Sequence, residues 1–180
     1  MTITFITSNP SKAEQLERHL DYPVEHRAIN LPEIQSLNLK EIVEYKTREA
    51  YKQIQAPVLV EDTSLVFHAL GRLPGPLIKW FLTELDNKGL CKILNGYADR
   101  SARAEVCFGF YDGRVLKIFE GQINGTIAKL PRGKRGFGWD SIFIPQSSTK
   151  TWGEMNVEEQ KETSMRRIAL KKLEDYLKSC

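Results

Sequence analysis

The chain has 180 residues, of which 41% are hydrophobic and 27% charged, with a formal net charge of +3. This length suits one domain that buries its own core, and no apolar run approaches the roughly 20 residues that cross a bilayer. The small positive charge suits a small anionic ligand at least as well as a nucleic acid, whose binding proteins usually carry a stronger basic footprint.

The cysteines argue against a disulfide framework and against a zinc site. There are three, an odd number, and they are widely separated without a C-x-x-C pair or a Cys/His cluster: Cys91, Cys107 and Cys180. Such thiols are typical of a reducing cytoplasm. Met1 leads directly into an apolar strand without the segments of a signal peptide, so we expect a soluble, unprocessed cytoplasmic protein.

The first third of the chain predicts strands that alternate with helices. Pro10 suits the first turn of one helix, and Asn38 suits the cap of the next. β-branched and aromatic residues mark the strands, and the last strand reads "PVLVED". The predicted elements are strands at 2–7, 22–28 and 57–62 and helices at 10–20 and 39–54.

The remainder predicts a helix, an antiparallel group of strands and a terminal helix. After the turns "GRLPGP", apolar spacing indicates a helix containing Ile78, Phe81, Leu82 and Leu85. Residues 101–128 predict two or three strands with Asp112-Gly113 as a hairpin turn. The loop "PRGKRGFGWDSIFIP" and a helix over 164–177 follow. No repeat or linker interrupts the chain, so we expect one α/β domain over residues 1–180.

The stretch "ITSNPSK" ends the first strand and begins the first helix. Free N–H groups and the helix dipole favour an anion at such a point, and Thr7, Ser8 and Asn9 add short donors. Lys12 adds a positive charge one turn into the helix. An ordinary helix cap with a solvated lysine is the better explanation of this stretch taken alone, so this signal is weak by itself.

Glu61 and Asp62 are adjacent carboxylates that close the predicted strand "PVLV" and precede Thr63. α/β proteins place ligands at the carboxyl ends of strands, and paired carboxylates there suit Mg²⁺ and the activation of water. Glu33, in the loop "LPEIQ", is a candidate third oxygen ligand. A second helix cap is the competing interpretation.

Lys46 breaks the apolar stripe of its helix. It is spaced seven residues from Leu39 and four from both Ile42 and Ala50, so it faces inward or lines a cleft. A snorkelling lysine is the alternative. Lys79 raises the same question inside "PLIKWF".

Arg166 extends the buried stripe of the terminal helix, three and four residues before Ala169 and Leu170. An arginine at this place usually reaches a carboxylate or a ligand, and its planar fork suits a purine carbonyl. Upstream, the loop "GFGWD" combines glycines, aromatic rings and an acceptor, which suits the floor of a base-binding site. A glycine loop packed on the core by its aromatics is the alternative.

Six motifs in this order, T-x-N-x-x-K, LPE, VEDTSL with LPGP, IKWF, FGWD and a terminal S-x-R helix, resemble the inosine/xanthosine triphosphate pyrophosphatase family. The resemblance implies a long central mixed β-sheet with flanking helices in two lobes around a cleft. It also implies a homodimer, Mg²⁺ dependence, and hydrolysis of ITP, dITP and XTP to the monophosphate and pyrophosphate. Such an enzyme is a hydrolase that removes deaminated purines from the nucleotide pool.

The resemblance also implies roles for single residues. Thr7, Asn9 and Lys12 match residues that bind the triphosphate, and Lys46 and Lys79 match lysines of the same region. Glu33 matches a metal ligand, and Glu61 and Asp62 match the acidic pair whose second member ligates Mg²⁺ and activates water. The implied base-binding set is Phe137, Gly138, Trp139, Asp140, Lys161, Ser164, Met165 and Arg166.

The chain departs from the family pattern at its terminal motif. The family usually reads S-H-R, whereas Met165 here replaces the histidine that donates to the purine O6. "KETS" is also one residue shorter than usual beside Lys161, and Trp152 in "TWGEM" alters a wall of the implied pocket. We therefore expect retained catalysis with relaxed or redirected purine discrimination.

Two other functions remain open from the sequence. A Maf-type nucleotide pyrophosphatase would act on pyrimidine or modified triphosphates, but "FGWD" and the terminal arginine argue against it. A nucleotide-binding or RNA-binding protein without catalysis is disfavoured by the intact acidic residues and Lys12.

Overall fold

The computed structural model describes residues 2–179; Met1 and Cys180, with the expectations attached to them, lie outside these residues. The strands are β1 Ile3–Ile6, β2 Val24–Arg27, β3 Val58–Phe67, β4 Pro74–Gly75, β5 Ser101–Tyr111, β6 Leu116–Ile127 and β7 Phe143–Pro145. The α-helices are α1 Pro10–His19, α2 Leu39–Ile54, α3 Ile78–Ile93, α4 Val157–Glu162 and α5 Met165–Lys178. Short 3₁₀ turns occupy His68–Leu70 and Leu94–Gly96. No helix within residues 2–179 has the length and apolar character required to cross a membrane.

The strands form one mixed sheet in the order β2-β1-β3-β5-β6-β7, and β4 pairs with β3. β1 runs parallel to both β2 and β3, whereas the pairs β3·β4 and β6·β7 are antiparallel. Residues 112–115 alone join β5 to β6, so these neighbours run antiparallel, because a parallel connection needs a dozen or more residues. The predicted mixed sheet with flanking helices is confirmed.

The observed structure differs from the predicted elements in several places. The strand predicted at 57–62 continues to Phe67, because Leu65 and Val66 pair with Gly75 and Pro74 of β4. α4 was not predicted; Asn156 and Glu159 form a capping box at its start. Asn38 lies at the start of α2, but its side chain makes no capping hydrogen bond.

The chain divides into two compact units. The first comprises the chain up to Thr63, Val106–Gly121 and the segment from Arg166 onward; the second comprises Ser64–Glu105 and Gln122–Met165. The expectation of one enzymatic domain over 1–180 spans both units and stays a prediction.

In the first unit, close packing fixes α2 and α5. Gly109 of β5 lies so near α2 that a Cβ there would sit 2.1 Å from Thr47 Oγ1, so only glycine permits this approach. Tyr176 of α5 packs its ring against Phe110 and Phe119, with centroids 6.0 and 5.7 Å away. These contacts set the positions of Lys46, one residue before Thr47, and of Arg166 at the start of α5.

In the second unit, the core is aromatic. Phe143 lies 4.6 Å from Trp152 and 5.9 Å from Trp139, between ring centroids, and the two tryptophans are 5.6 Å apart. Arg100 ties α3 to the neighbouring strand, because its guanidinium donates to the carbonyls of Cys91, Ile127 and Ala128. This unit therefore fixes the loop that contains Trp139.

Candidate functional site: a cluster of cations and carboxylates

The acidic pair lies inside a strand. β1 pairs with β3 as far as Ile6 opposite Val60, so Glu61 and Asp62 follow the last residue paired with β1 while β3 continues. The prediction that these carboxylates close a strand is therefore wrong, although they do lie where β1 ends. Their side chains differ in exposure: Glu61 is 1% exposed and Asp62 is 25% exposed.

Lys46 of α2 bridges two carboxylates. Its Nζ donates to Asp62 Oδ2 at 2.8 Å and to Glu33 Oε1 at 2.9 Å. Burial lowers the pKa of Lys46, but the charges and hydrogen bonds of Asp62 and Glu33 outweigh this and raise the pKa above its ordinary value of 10.5. Lys46 is therefore held as a cation between two carboxylates, whereas the apolar stripe predicted only that it faces inward or lines a cleft.

Lys12 of α1 contacts both members of the acidic pair. Its Nζ donates to the backbone carbonyl of Glu61 at 3.3 Å and lies 3.6 Å from Glu61 Oε1 and 3.9 Å from Asp62 Oδ1. Asp62 thus has an ammonium group on each carboxylate oxygen. Two lysines from different helices orient this one carboxylate.

Arg166 of α5 reaches the other acid. Its Nε and Nη2 both lie near Glu61 Oε1, at 3.2 and 2.9 Å, and both side chains are nearly inaccessible to solvent. The sequence left open whether Arg166 meets a carboxylate or a ligand, and in the structure it meets a carboxylate. Its role in binding a base stays a prediction.

The start of α1 is a side-chain cap. Asn9 Oδ1 accepts from the backbone N–H of Ser11 at 3.0 Å, and Thr7 Oγ1 accepts from Asn9 N at 3.1 Å. Ser8 is exposed and Thr63 half-buried. The capping interpretation describes this stretch as it stands, and phosphate binding there stays a prediction.

The three predicted metal ligands do not form a ready-made cage. Within residues 2–179, no group of three or more His, Cys, Asp or Glu side chains is arranged to hold a metal ion. Mg²⁺, however, commonly uses one or two carboxylates together with water and substrate phosphates. Glu61 Oε2 is buried without a hydrogen-bond partner among the described residues, and Asp62 is accessible, so this donor set fits an ion that binds with a nucleotide.

The predicted base-binding loop lies in the second unit. The carboxylate of Asp140, a residue of the loop, accepts a hydrogen bond from the loop backbone. Asp140 Oδ2 accepts from the backbone N–H of Phe137 at 2.9 Å, and a Cβ on Gly136 would lie 2.1 Å from that oxygen. Trp139 is 7% exposed and packs in the aromatic core, which is the alternative that the sequence left open. Phe137 is half-buried and Gly138 is exposed.

The remaining predicted residues of the second unit make different contacts. Lys79 is exposed and its Nζ lies 5.6 Å from the ring centroid of Trp80, whose side chain is 59% exposed. Lys161 is exposed on α4, and Ser164 is half-buried. Met165 is 1% exposed, so its thioether is buried.

Sequence reasoning missed Asn87. Its Nδ2 donates to the carbonyl of Gly138, in the predicted base-binding loop, at 2.8 Å. The local sequence "LDNKG" contained a signal, since Asp, Asn and Gly inside a helical pattern favour a break. Nothing in that signal indicated a partner 51 residues away.

Comparisons with known proteins agree with this fold. A model of the Ham1 family matches residues 3–176. Over 172 residues the chain is 42% identical to a Trypanosoma cruzi protein named inosine triphosphate pyrophosphatase 2, covering 93% of this chain and 88% of that protein. A HAM1 protein from Coxiella burnetii superposes with a TM-score of 0.86 at 26% identity over the whole of both chains. The Staphylococcus aureus Ham1 protein also gives a TM-score of 0.86, at 23% identity over 99% of each chain, which shows the shared fold.

Proposed function

Because the chain belongs to the Ham1 family, we propose that it is a hydrolase that converts ITP, dITP and XTP to the monophosphate and pyrophosphate. The observation that carries the proposal is the pairing of Asp62 with the ammonium groups of Lys12 and Lys46. The similarity to a protein named inosine triphosphate pyrophosphatase 2 supports the choice of substrate. The activity would remove deaminated purines from the nucleotide pool.

The phosphate end of the substrate would bind the lysines. In the structure three cations, Lys12, Lys46 and Arg166, are matched by three carboxylates, Glu33, Glu61 and Asp62. A triphosphate adds about four negative charges, and preorganised cations are the usual means of stabilising phosphoryl transfer. Thr7, Ser8, Asn9 and Thr63 would add short donors, and Lys79 a further charge.

Asp62 would accept the proton of the attacking water. The water oxygen forms a bond to the α-phosphorus, the bond from that phosphorus to the bridging oxygen breaks, and pyrophosphate leaves with the bond electrons. Lys46, 2.8 Å from Oδ2, and Lys12, 3.9 Å from Oδ1, fix the carboxylate in place for this step. Glu61 would keep Lys12 and Arg166 in position.

Asp62, with Glu33 or Glu61, would hold Mg²⁺ as it arrives with the nucleotide. Bound there, the ion supplies positive charge to the phosphate oxygens and favours ionisation of water. Glu61 Oε2, which has no hydrogen-bond partner within residues 2–179, and the accessible carboxylate of Asp62 support this assignment.

The base would bind at the loop of Phe137, Gly138, Trp139 and Asp140, with Lys161, Ser164, Met165 and Arg166 as further contributors. The buried side chain of Met165 has no N–H to offer a purine carbonyl, which supports relaxed discrimination among purines. The homodimer implied by the resemblance, and a cytoplasmic location indicated by the cysteines, belong to the same proposal.

Replacing Asp62 by asparagine tests the function. The shape of the side chain is kept but the proton acceptor is lost, so pyrophosphate release from ITP should fall by about 10²–10⁴. Calorimetry should still detect binding of Mg²⁺-ITP. Asp175→Asn, on the exposed face of α5, is the matched control and should turn over like the wild type. Substantial residual activity in Asp62→Asn would remove Asp62 from the base role.

A further inference from the structure

Helix α3 is broken at Asp86. This residue has φ 53° and ψ −178°, a backbone conformation that residues other than glycine rarely adopt. Asp86 Oδ1 accepts from Gly89 N at 2.9 Å, so Asp86 caps a second helical segment. A Cβ on Gly89 would lie 2.8 Å from the Cβ of Leu85, so glycine is required at the bend. Asp86 and Gly89 together therefore stabilise the break in α3.

The break places Asn87 against a distant loop. Asn87 Nδ2 donates to Gly138 O at 2.8 Å. Since a carbonyl oxygen only accepts, the amide must face it with its nitrogen. The other end of the amide, Asn87 Oδ1, is buried without a hydrogen-bond partner among the residues described. Buried acceptors of this kind are uncommon and destabilising, so the hydrogen bond to Gly138 is made despite a cost at the other end of the same amide.

Gly138 of that loop is exposed and borders open space. It adopts φ +62°, and a Cβ added there would meet no atom within 4 Å. Asp140 fixes the loop on one side of Gly138 through the N–H of Phe137, and Asn87 fixes the Gly138 carbonyl from α3. The Gly138 peptide therefore borders open space, and its carbonyl accepts a hydrogen bond from Asn87.

We propose that Asn87 is a positioning residue that orients the Gly138 peptide and so sets the affinity for the purine base of the substrate. This inference rests on the proposed function, because the loop is assigned to the base there. Asn87 acts on the base and leaves the phosphates to the lysine cluster. Its loss should raise KM for a nucleotide and leave kcat nearly unchanged.

Three variants separate the hydrogen bond from the packing of the side chain. Asn87→Ala removes the donor, Asn87→Asp keeps the shape but turns a carboxylate oxygen towards the Gly138 carbonyl, and Asn87→Gln retains a donor. Loss of one neutral hydrogen bond corresponds to about a fivefold rise in KM for ITP, with a larger rise in Asn87→Asp and partial rescue in Asn87→Gln. Asn95→Ala, at an exposed asparagine just beyond α3, is the matched control and should keep the wild-type KM.

The inhibition constant of inorganic tripolyphosphate distinguishes an effect on base binding from a general loss of structure, which would weaken the binding of both ligands. As a competitive inhibitor without a base, tripolyphosphate should keep the same inhibition constant in Asn87→Ala as in the wild type. An unchanged KM for ITP, or an equal weakening of ITP and tripolyphosphate, would overturn the proposal.

Hydrogen exchange of residues 136–140 decides the loop contact without any turnover. These amides should exchange faster in Asn87→Ala and Asn87→Asp than in the wild type, while exchange in β1 and α2 stays unchanged. Equal exchange at 136–140 in all proteins would also overturn the proposal. If the wild type hydrolyses no triphosphate, the proposed function fails, and this exchange experiment still decides whether Asn87 orients the loop.

Discussion

Arg166 donates through both Nε and Nη2 to a single oxygen of Glu61, Oε1, at 3.2 and 2.9 Å. The two residues are 105 positions apart, and their side chains are only 10% and 1% exposed. Lys12 Nζ lies 3.6 Å from the same oxygen. Glu61 is thus the buried anion that joins α1, β3 and α5.

Glu61→Gln should destabilise the protein strongly. Removing one partner of a buried ion pair leaves an uncompensated charge and costs about 3–5 kcal/mol. Urea unfolding should show this loss in Glu61→Gln and a change within about 0.5 kcal/mol in Asp175→Asn, whose partner Lys171 is exposed. Replacing both partners, Glu61→Leu with Arg166→Met, should recover part of the stability. If Glu61→Gln unfolds at the wild-type urea concentration, the ion pair does not stabilise the fold.

Asn9→Ala should destabilise α1 by about 1 kcal/mol, because it removes the oxygen that caps the N–H of Ser11. Asn38 is the matched control, since it occupies the same position at α2 without a capping hydrogen bond. Thermal unfolding should therefore distinguish two asparagine-to-alanine changes that look equivalent in the sequence. Equal effects of the two substitutions would contradict this account of the α1 start.

Asp112 should make the β5–β6 hairpin sensitive to acid. Hydrogen bonds from the backbone N–H groups of Val115 and Arg114 hold the pKa of Asp112 below its ordinary value of 3.8. Because the folded pKa is depressed, the stabilisation is complete above pH 3.8 and is lost as the pH falls through the folded pKa. In urea unfolding, the stability of the wild type relative to Asp112→Asn should decline over this acidic range. A constant difference would show that the carboxylate charge contributes nothing there.

Met165→His should sharpen the preference for ITP over GTP. One restored donor to the base corresponds to about a fivefold gain in the ratio of kcat/KM values. Met165→Leu keeps an apolar side chain of similar volume and should keep the wild-type ratio. If the wild type already discriminates as sharply as Met165→His, the methionine does not relax selectivity.

Local sequence patterns predicted most helices and strands and identified the charged residues of the cluster, but they did not predict the full length of β3. Lys46 could be identified because a cation interrupted an apolar stripe of known period. Glu61 and Asp62 could be identified because they follow "PVLV" as adjacent carboxylates, although a helix cap was a competing interpretation. The extension of β3 could not be predicted, since it depends on pairing between Leu65 and Gly75.

Distant contacts account for what the sequence did not indicate. A stripe predicts that Arg166 faces inward, but only the fold brings it to Glu61. The contact between Asn87 and Gly138 depends on a break in α3 and on a loop that is closed by Asp140. Periodicity identifies which face of an element is buried, and it does not identify what that face meets.

The central claim is best tested by measuring turnover and products for ITP, dITP, XTP, GTP and ATP with the wild-type protein and Mg²⁺. The account predicts that ITP, dITP and XTP yield the monophosphate and pyrophosphate in equal amounts, with kcat/KM above that for ATP. Release of orthophosphate with a nucleoside diphosphate, or no hydrolysis of any of these triphosphates, would contradict it.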